Sequence, residues 1–270
     1  MLDTEKRNEN TTHIDKMSTI DMLKVIQEEN LNAVNAVNKA LENIEKAVDA
    51  AYLSLTKGGR IIYVGAGTSG RLGVVDASEC PPTFGVSPET VVGVIAGGRD
   101  AMFKSSENTE DIGESGVNDL KAINLKCSDI VIGISAAGGA GYVIKALEYA
   151  KSIGCSTVGI TSNKNTLLGK TADIEIVTET GAEVITGSTR MKAGTAQKLV
   201  LNMISTSVMV KMGYVYENLM INLKPSNSKL KSRMVRIVSS ILEVESEESE
   251  DLLKKAGWNI KEAIKLYRGE

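Results

Sequence analysis

Residues 129–154 read DIVIGISAAGGAGYVIKALEYAKSIG. The stretch opens on IVIGI, an apolar, β-branched run with no polar interruption, the signature of a strand buried on both faces of a parallel sheet. A soft Gly/Ala loop follows at 136–141, and YVIKALEYAKSIG then returns to helical spacing. Loops between a parallel strand and a helix hold anions where glycines let the backbone approach and hydroxyls face inward. In this loop Ser135 is the only hydroxyl.

The same unit recurs on both sides of it. Short apolar runs stand at RIIYVG (60–65), TVVGVIAG (90–97), STVGIT (156–161) and DIEIVT (173–178). Alternation of such runs with helical sequence predicts an α/β domain with a parallel sheet covered on both faces, and ligands bind outside the carboxyl ends of its strands. Before it, Ser18 and Asp21 form a helix start, and Val34, Val37, Leu41, Ile44, Val48, Tyr52 and Leu55 make one apolar stripe, read as core or dimer seam. That helix runs to Lys57 and breaks at Gly58-Gly59. From Lys224 the chain is again helical and more polar, and SEESEDLLKKAGWNIKEAIKLY resembles a small three-helix module. The expected division is therefore 1–57, N-terminal helices; 58–223, the sheet domain; and 224–270, a small C-terminal helical region.

Composition removes several classes of function. With 42% hydrophobic and 24% charged residues over 270 positions, the chain can bury a full core. A net charge of −3 with no Lys/Arg block argues against a nucleic-acid or anionic-membrane surface. No apolar run is long enough to span a bilayer and no signal-peptide pattern is present, so the expected location is cytoplasmic. Cys80, Cys127 and Cys155 are far apart and odd in number, which indicates neither a disulfide frame nor a zinc site. Cys127 and Cys155 read as buried thiols. The sole histidine, His13, lies in a polar N-terminal stretch and reads as solvated. Proton transfer then falls to carboxylates, Lys, Tyr or water.

The other strand-end loops carry the chemistry. GAGTSGRLG (65–73) offers glycines for close approach and Thr68 and Ser69 at a helix start. A dinucleotide fingerprint also fits the glycines, but the acidic residue that should close the next strand is absent. The paired hydroxyls point instead to a monophosphate. VDASECPPTFG (75–85) places Glu79 between a helix end and a rigid Pro81-Pro82 turn. SSENTEDIGESGVNDL (105–120) adds Glu107, Glu110, Asp111 and Glu114 on polar helical sequence; a solvated acidic face is the default for most of these. Ser188 and Thr189 open the helix entrance of GSTRMKAG (187–194), where an anion, sugar hydroxyls or simple N-capping would all fit. Arg190 and Lys192 carry no assignment.

Taken together, GAGTSGRLGVVDASECPPTFG, IAGG (95–98), ENTED (107–111), GVNDLKAINL (116–125), EVITGSTRMKAGTAQKLVLNMIST (183–206), TEKRN (4–8) and IDKMST (14–19) resemble the N-acetylmuramic acid 6-phosphate etherases. The resemblance runs from about residue 4 to at least residue 237. It implies a sugar isomerase (SIS) fold, a three-layer sandwich with a five-stranded parallel sheet, in a homodimer that needs no metal or organic cofactor. The implied reaction is cleavage of the lactyl ether of N-acetylmuramic acid 6-phosphate, giving N-acetylglucosamine 6-phosphate and lactate. By the family motif, Glu79 would be the acid that protonates departing lactate and Glu110 the base at C2. Thr68, Ser69, Ser135, Ser188 and Thr189 would hold the sugar phosphate.

The opening loop departs from that family. Related etherases read A-A-S-G-R-T-P at 135–141, whereas this chain has Ala137, Gly139, Ala140 and Gly141 at the Ser, Arg, Thr and Pro positions. Each charge-assisted bond contributes roughly 1.5–3 kcal/mol, so losing two implies phosphate binding weaker by about a hundredfold or more. Family members also continue with further helical sequence past position 270. Two classes thus stay open: a carbon–oxygen lyase, and a non-catalytic sugar-phosphate sensor similar to the glucokinase regulatory protein. The pair Glu79 and Glu110 favours the lyase; the altered loop favours the sensor.

Overall fold

The computed structural model describes residues 1–104, 109–225 and 227–269. Two compact units divide the chain: residues 1–78 with 89–208, and residues 79–88 with 209–270.

The first unit is built on a parallel sheet of five strands: β1 (Ile61–Gly65), β2 (Val91–Ile95), β3 (Ile130–Ile134), β4 (Ser156–Thr161) and β5 (Ile174–Val177), in the order β2-β1-β3-β4-β5. Every residue of β1 and β3 is buried, which is why these central strands read as unbroken apolar runs. The helices of this unit are α1 (Thr19–Lys39), α2 (Leu41–Thr56), the part of α3 (Gly67–Phe84) up to Ser78, α4 (Gly113–Ala122), α5 (Gly141–Ser152), α6 (Leu167–Thr171) and the part of α7 (Lys192–Lys211) up to Val208. Around Tyr142, Val143, Ile144, Ala146 and Leu147 of α5, one core cluster gathers Ile62, Val64, Val131 and Leu168. At the amino ends of β1 and β3, the Arg60 guanidinium pairs with the buried Asp129 carboxylate at 2.7 Å. Asp129 also accepts the amides of Arg60 and Lys126. Deeper in, Asp76 of α3 accepts from the Tyr63 hydroxyl at 2.9 Å, the Asn202 amide at 2.6 Å and the Ser205 hydroxyl at 3.2 Å.

The structure differs from three local expectations. The helix expected from Ser18 to Lys57 is two helices, broken at Ala40 (φ −99°, ψ 2°) rather than running unbroken to the Gly pair. The break rotates the stripe: Val37, Ile44, Val48 and Leu55 are buried, while Val34 and Leu41 are exposed. Likewise the helix does not end before Pro81-Pro82; α3 continues through both to Phe84. In a last turn the missing proline amides interrupt only the final hydrogen bonds, so the helix survives. Of the thiols, Cys155 is buried as expected, its pKa pushed up to about 12 by that burial, but Cys127 is exposed.

In the second unit, α8 (Ser228–Leu242), α9 (Ser246–Lys255) and α10 (Ile260–Arg268) share a core of Met234, Ile237, Val238, Leu253, Ile260, Ala263 and Ile264. The segment read as a three-helix module holds two of these helices. The Asn227 and Asn259 side chains accept the amides of Leu230 and Glu262, capping α8 and α10. A short antiparallel pair, β6 (Val215–Tyr216) and β7 (Leu219–Met220), lies in the same unit.

The N-terminal residues are a strap on the first unit rather than a free arm. The amides of Asp3 and Thr4 donate to Asn163 Oδ1, and Thr11 Oγ1 donates to the Val184 carbonyl. Asn8 Nδ2 donates to Glu29 and to the Ala182 carbonyl. Glu29 of α1 is itself ion-paired to Lys192, whose side chain is 1% exposed. Burial alone would raise the Glu29 pKa, but the bonds from Lys192, Asn10 and Asn8 outweigh it and hold the carboxyl below its ordinary 4.5. A carboxylate with a depressed folded pKa stabilises the fold above its unfolded pKa, and that contribution is lost as pH falls through the folded value. The strap is therefore expected to hold at neutral pH and to loosen only in acid, below the unfolded value of 4.5. Lys192→Met, which leaves the Glu29 charge buried without its cation, should cost about 3–5 kcal/mol in urea unfolding. Adding Glu29→Leu should recover part of that loss, because no buried charge remains; a Lys192→Met protein as stable as wild type would mean that the pair does not hold the strap.

Candidate functional site

The strand order places a crevice where chain connections part. From β1 the chain passes through α3 to β2 on one side, and from β3 through α5 to β4 on the other. Neighbouring strands whose connections leave in opposite directions open a gap at their carboxyl ends, the ligand site of doubly wound sheets. A cavity of about 240 Å³ lies there. The β1 connection lines it with Ala66, Gly67, Thr68 and Ser69, and the β3 connection with Ser135, Ala136, Ala137 and Ala140. Ile134 at the end of β3, Glu110 and Thr189 complete the wall.

Each wall has a local reason for its shape. At the first, α3 begins at Gly67 immediately after β1, so the amides of 67–69 have no intrahelical partner and face outward from the helix start. The turn is tight enough that a Cβ on Gly65 would stand 2.6 Å from the Gly70 amide nitrogen. Thr68 is half-buried, and Ser69 is buried with its Oγ donating to Gln197 Oε1 at 3.0 Å.

The second wall is the quoted loop. Ser135 Oγ accepts the Gly138 amide at 3.1 Å, which leaves its own hydrogen to donate. Gly138 holds φ at +71°, and a Cβ there would collide with the Thr166 side chain. The backbone is fixed from outside as well: the Ala136 carbonyl accepts from the Asn163 side chain and the Ser162 amide, and the Gly138 carbonyl from the Leu168 amide. By contrast, nothing stands within 4 Å of a Cβ on Gly139, and Ala140, the N-cap of α5, makes no side-chain capping bond. The loop's backbone is thus firmly anchored, while Gly139 and Ala140 bring no side-chain donor to it.

The third wall precedes α7. Thr189 lines the cavity; Ser188, half-buried, is not among the lining residues. The first amides of α7, those of Lys192 and Ala193, donate to Glu183 at 3.0 and 2.9 Å. Glu183 is fully buried, and that burial raises its pKa although both amides favour the carboxylate. The helix entrance is thus capped by the chain itself. Arg190 is exposed.

The two carboxylates stand differently. Glu110 sits in a short 3-10 turn, Thr109–Asp111, exposed and on the cavity wall. Glu79 is exposed on α3, ten residues beyond Ser69, and is not among the lining residues. Glu107 lies outside the described residues, and Glu114 is exposed in the first turn of α4. Neither Gln197 nor Glu183 was found by sequence reasoning. The available signal was a polar residue on the otherwise apolar face that Ala193, Ala196 and Val200 give α7. No group of three or more His, Cys, Asp or Glu that could hold a metal ion occurs among the described residues. No helix among them is long and apolar enough to cross a membrane.

Residues 41–151 match the glucokinase regulatory protein N-terminal SIS domain, and residues 107–207 match the SIS domain. Each model covers less than half of the chain. Over 267 residues the chain is 50% identical to N-acetylmuramic acid 6-phosphate etherase 1 of Bacillus licheniformis, covering 99% of this chain and 88% of that one. Over 261 residues it is 53% identical to the N-acetylmuramic acid 6-phosphate etherase of Clostridium botulinum (strain Okra / Type B1), covering 97% and 86%. Among solved structures, a phosphoheptose isomerase from Francisella tularensis superposes with a TM-score of 0.55 at 18% identity, over 72% of this chain and 100% of that one. A phosphoheptose isomerase from Neisseria gonorrhoeae gives 0.53 at 17% identity, over 71% and 98%. At these identities the structures speak for the fold alone.

Proposed function

The chain belongs to the N-acetylmuramic acid 6-phosphate etherase family, and from that membership we propose how its residues divide the work. The activity is cleavage of the lactyl ether of N-acetylmuramic acid 6-phosphate to N-acetylglucosamine 6-phosphate and D-lactate, in the recycling of cell-wall sugar. The observation that carries the residue assignment is one cavity shared by a carboxylate, Glu110, and the hydroxyls of Thr68, Ser69, Ser135 and Thr189.

Ring opening of the sugar places an aldehyde at C1 and makes the C2 proton acidic. Glu110 removes that proton, and the electron pair moves into the C2–C3 bond as the C3–O bond to lactate breaks. Glu79 donates a proton to the departing lactyl oxygen. Water then adds to C3 of the unsaturated aldehyde with roles exchanged: Glu79 takes its proton and Glu110 returns one to C2. Two carboxylates suffice for this cycle. The 6-phosphate sits against the α3 start, where Thr68, Ser69 and unpaired amides meet it, and Ser135 donates from the second wall. Ser188 is assigned a supporting place in the 187–191 turn rather than a ligand contact.

The working unit in this reading is a cytoplasmic homodimer. Its support is an exposed apolar line on α1 and the start of α2, with Ile20, Leu23, Leu31, Val34 and Leu41 each 45–58% exposed. Such a line is what a second copy would cover.

Glu110→Gln should lower both C2 hydrogen exchange with deuterated water and lactate release by ~10²–10⁴. Glu79→Gln should lower lactate release by a similar factor while exchange survives, and Glu114→Gln should change neither. Joint loss of exchange and release in folded Glu79→Gln would remove its role as the acid.

Rebuilding the second wall tests the phosphate reading. In Ala137→Ser/Gly139→Arg/Ala140→Thr/Gly141→Pro, the Arg enters open space and the Thr supplies the missing cap of α5. Proline suits the first helical position, although a Cβ at 141 stands 3.0 Å from the Asp111 carbonyl oxygen, so that turn must shift slightly. Calorimetry should show affinity for N-acetylglucosamine 6-phosphate tightening at least about tenfold, from donors worth roughly 1.5–3 kcal/mol each, with little gain for unphosphorylated N-acetylglucosamine. Equal affinity before and after would mean the loop does not meet the phosphate.

A further inference from the structure

Gln197 is a buried amide with half of its hydrogen-bonding capacity unused. It is 1% exposed, on α7, and its Oε1 accepts the Ser69 hydroxyl at 3.0 Å. Its Nε2, carrying two hydrogens, has no partner among the described residues. A buried unpaired donor is costly, and it stands one bond away from a residue that lines the cavity.

The arrangement also fixes what Ser69 can offer. A hydroxyl has one hydrogen and two acceptor sites. With its hydrogen directed at Gln197, Ser69 turns only lone pairs toward the cavity, and lone pairs repel a phosphate oxygen. Turning the amide end for end reverses this, since oxygen and nitrogen are nearly the same size. Nε2 then donates to Ser69 Oγ and gains its missing partner, and the Ser69 hydrogen is free to point into the cavity. Oε1 loses its donor in exchange, so neither orientation satisfies the amide fully. A ligand oxygen that accepts from Ser69 decides between them.

We propose that Gln197 is a positioning residue of the sugar-phosphate site, whose side-chain amide turns when ligand binds and holds the Ser69 hydroxyl as a donor to the phosphate. The inference rests on reading the cavity as the phosphate site. It assigns Gln197 no contact with substrate; its effect passes entirely through Ser69.

Three variants and one spectrum test it. Ser69→Ala should weaken binding of N-acetylglucosamine 6-phosphate about tenfold or more, the loss of one charge-assisted donor. Gln197→Met, similar in size and without the unpaired donor, should weaken it roughly three- to tenfold while the thermal midpoint stays level or rises. In the double variant, the methionine should add nothing to the loss already caused by Ser69→Ala, because coupled residues are not additive. None of the three should alter affinity for unphosphorylated N-acetylglucosamine. In unmodified protein, the Gln197 side-chain amide hydrogens should shift on addition of N-acetylglucosamine 6-phosphate and stay in place with N-acetylglucosamine. If Ser69→Ala binds as tightly as wild type, the phosphate reading of the cavity fails and the inference with it. If Ser69→Ala binds weakly but the two changes simply add, or the amide signals do not move, the cavity reading stands and the role of Gln197 is overturned.

Discussion

The place of the candidate site follows from the parting of two chain connections at adjacent parallel strands. β1 and β3 are hydrogen-bonded neighbours, yet one sends the chain toward β2 and the other toward β4. The backbone on either side of the gap must turn into a helix without filling it, which demands small residues and leaves amides unpaired. Gly65, Gly67 and Gly70 on one side and the 135–141 loop on the other answer that demand. The recess supplies the helix-start amides, the hydroxyls and one of the two carboxylates of the proposed mechanism, Glu110; Glu79 lies outside its lining.

What keeps the recess in shape is a set of buried polar groups around it. Lys192 and Glu29 pair where water is excluded, Glu183 caps α7, and Asn163 fastens Thr4 to the carbonyl of Ala136. Buried charges are stable only when fully paired, so the N-terminal turns, α1 and the start of α7 are held in one relative position. The short motif TEKRN owes its place to this fastening: Thr4 and Asn8 are both buried anchors.

The strands were legible because parallel central strands are covered on both faces and therefore show no alternation. The cavity hydroxyls were legible because glycine and hydroxyl residues follow the strands directly. Three features were not. The break at Ala40 falls between Lys39 and Leu41 with no Gly or Pro to mark it. The prolines of α3 carry a turn signal that the helix overrides because they fall in its last turn. Glu183 depends on partners 9 and 10 residues away, Lys192 on Glu29, 163 away, and Gln197 on Ser69, 128 away. No local pattern announces such contacts. The family resemblance supplied the roles of Glu79 and Glu110, which spacing did not.

The 135–141 loop is anchored by its main chain: the carbonyls of Ala136 and Gly138, and the packing of Gly138 against Thr166. Its variable positions carry none of that anchoring. If the loop meets the phosphate as proposed, affinity and architecture are separate variables in this protein. A lineage could then weaken, strengthen or redirect recognition by exchanging side chains in this loop while its main-chain anchors stayed in place. Such a loop lets selection act on ligand choice without first passing through an unstable intermediate.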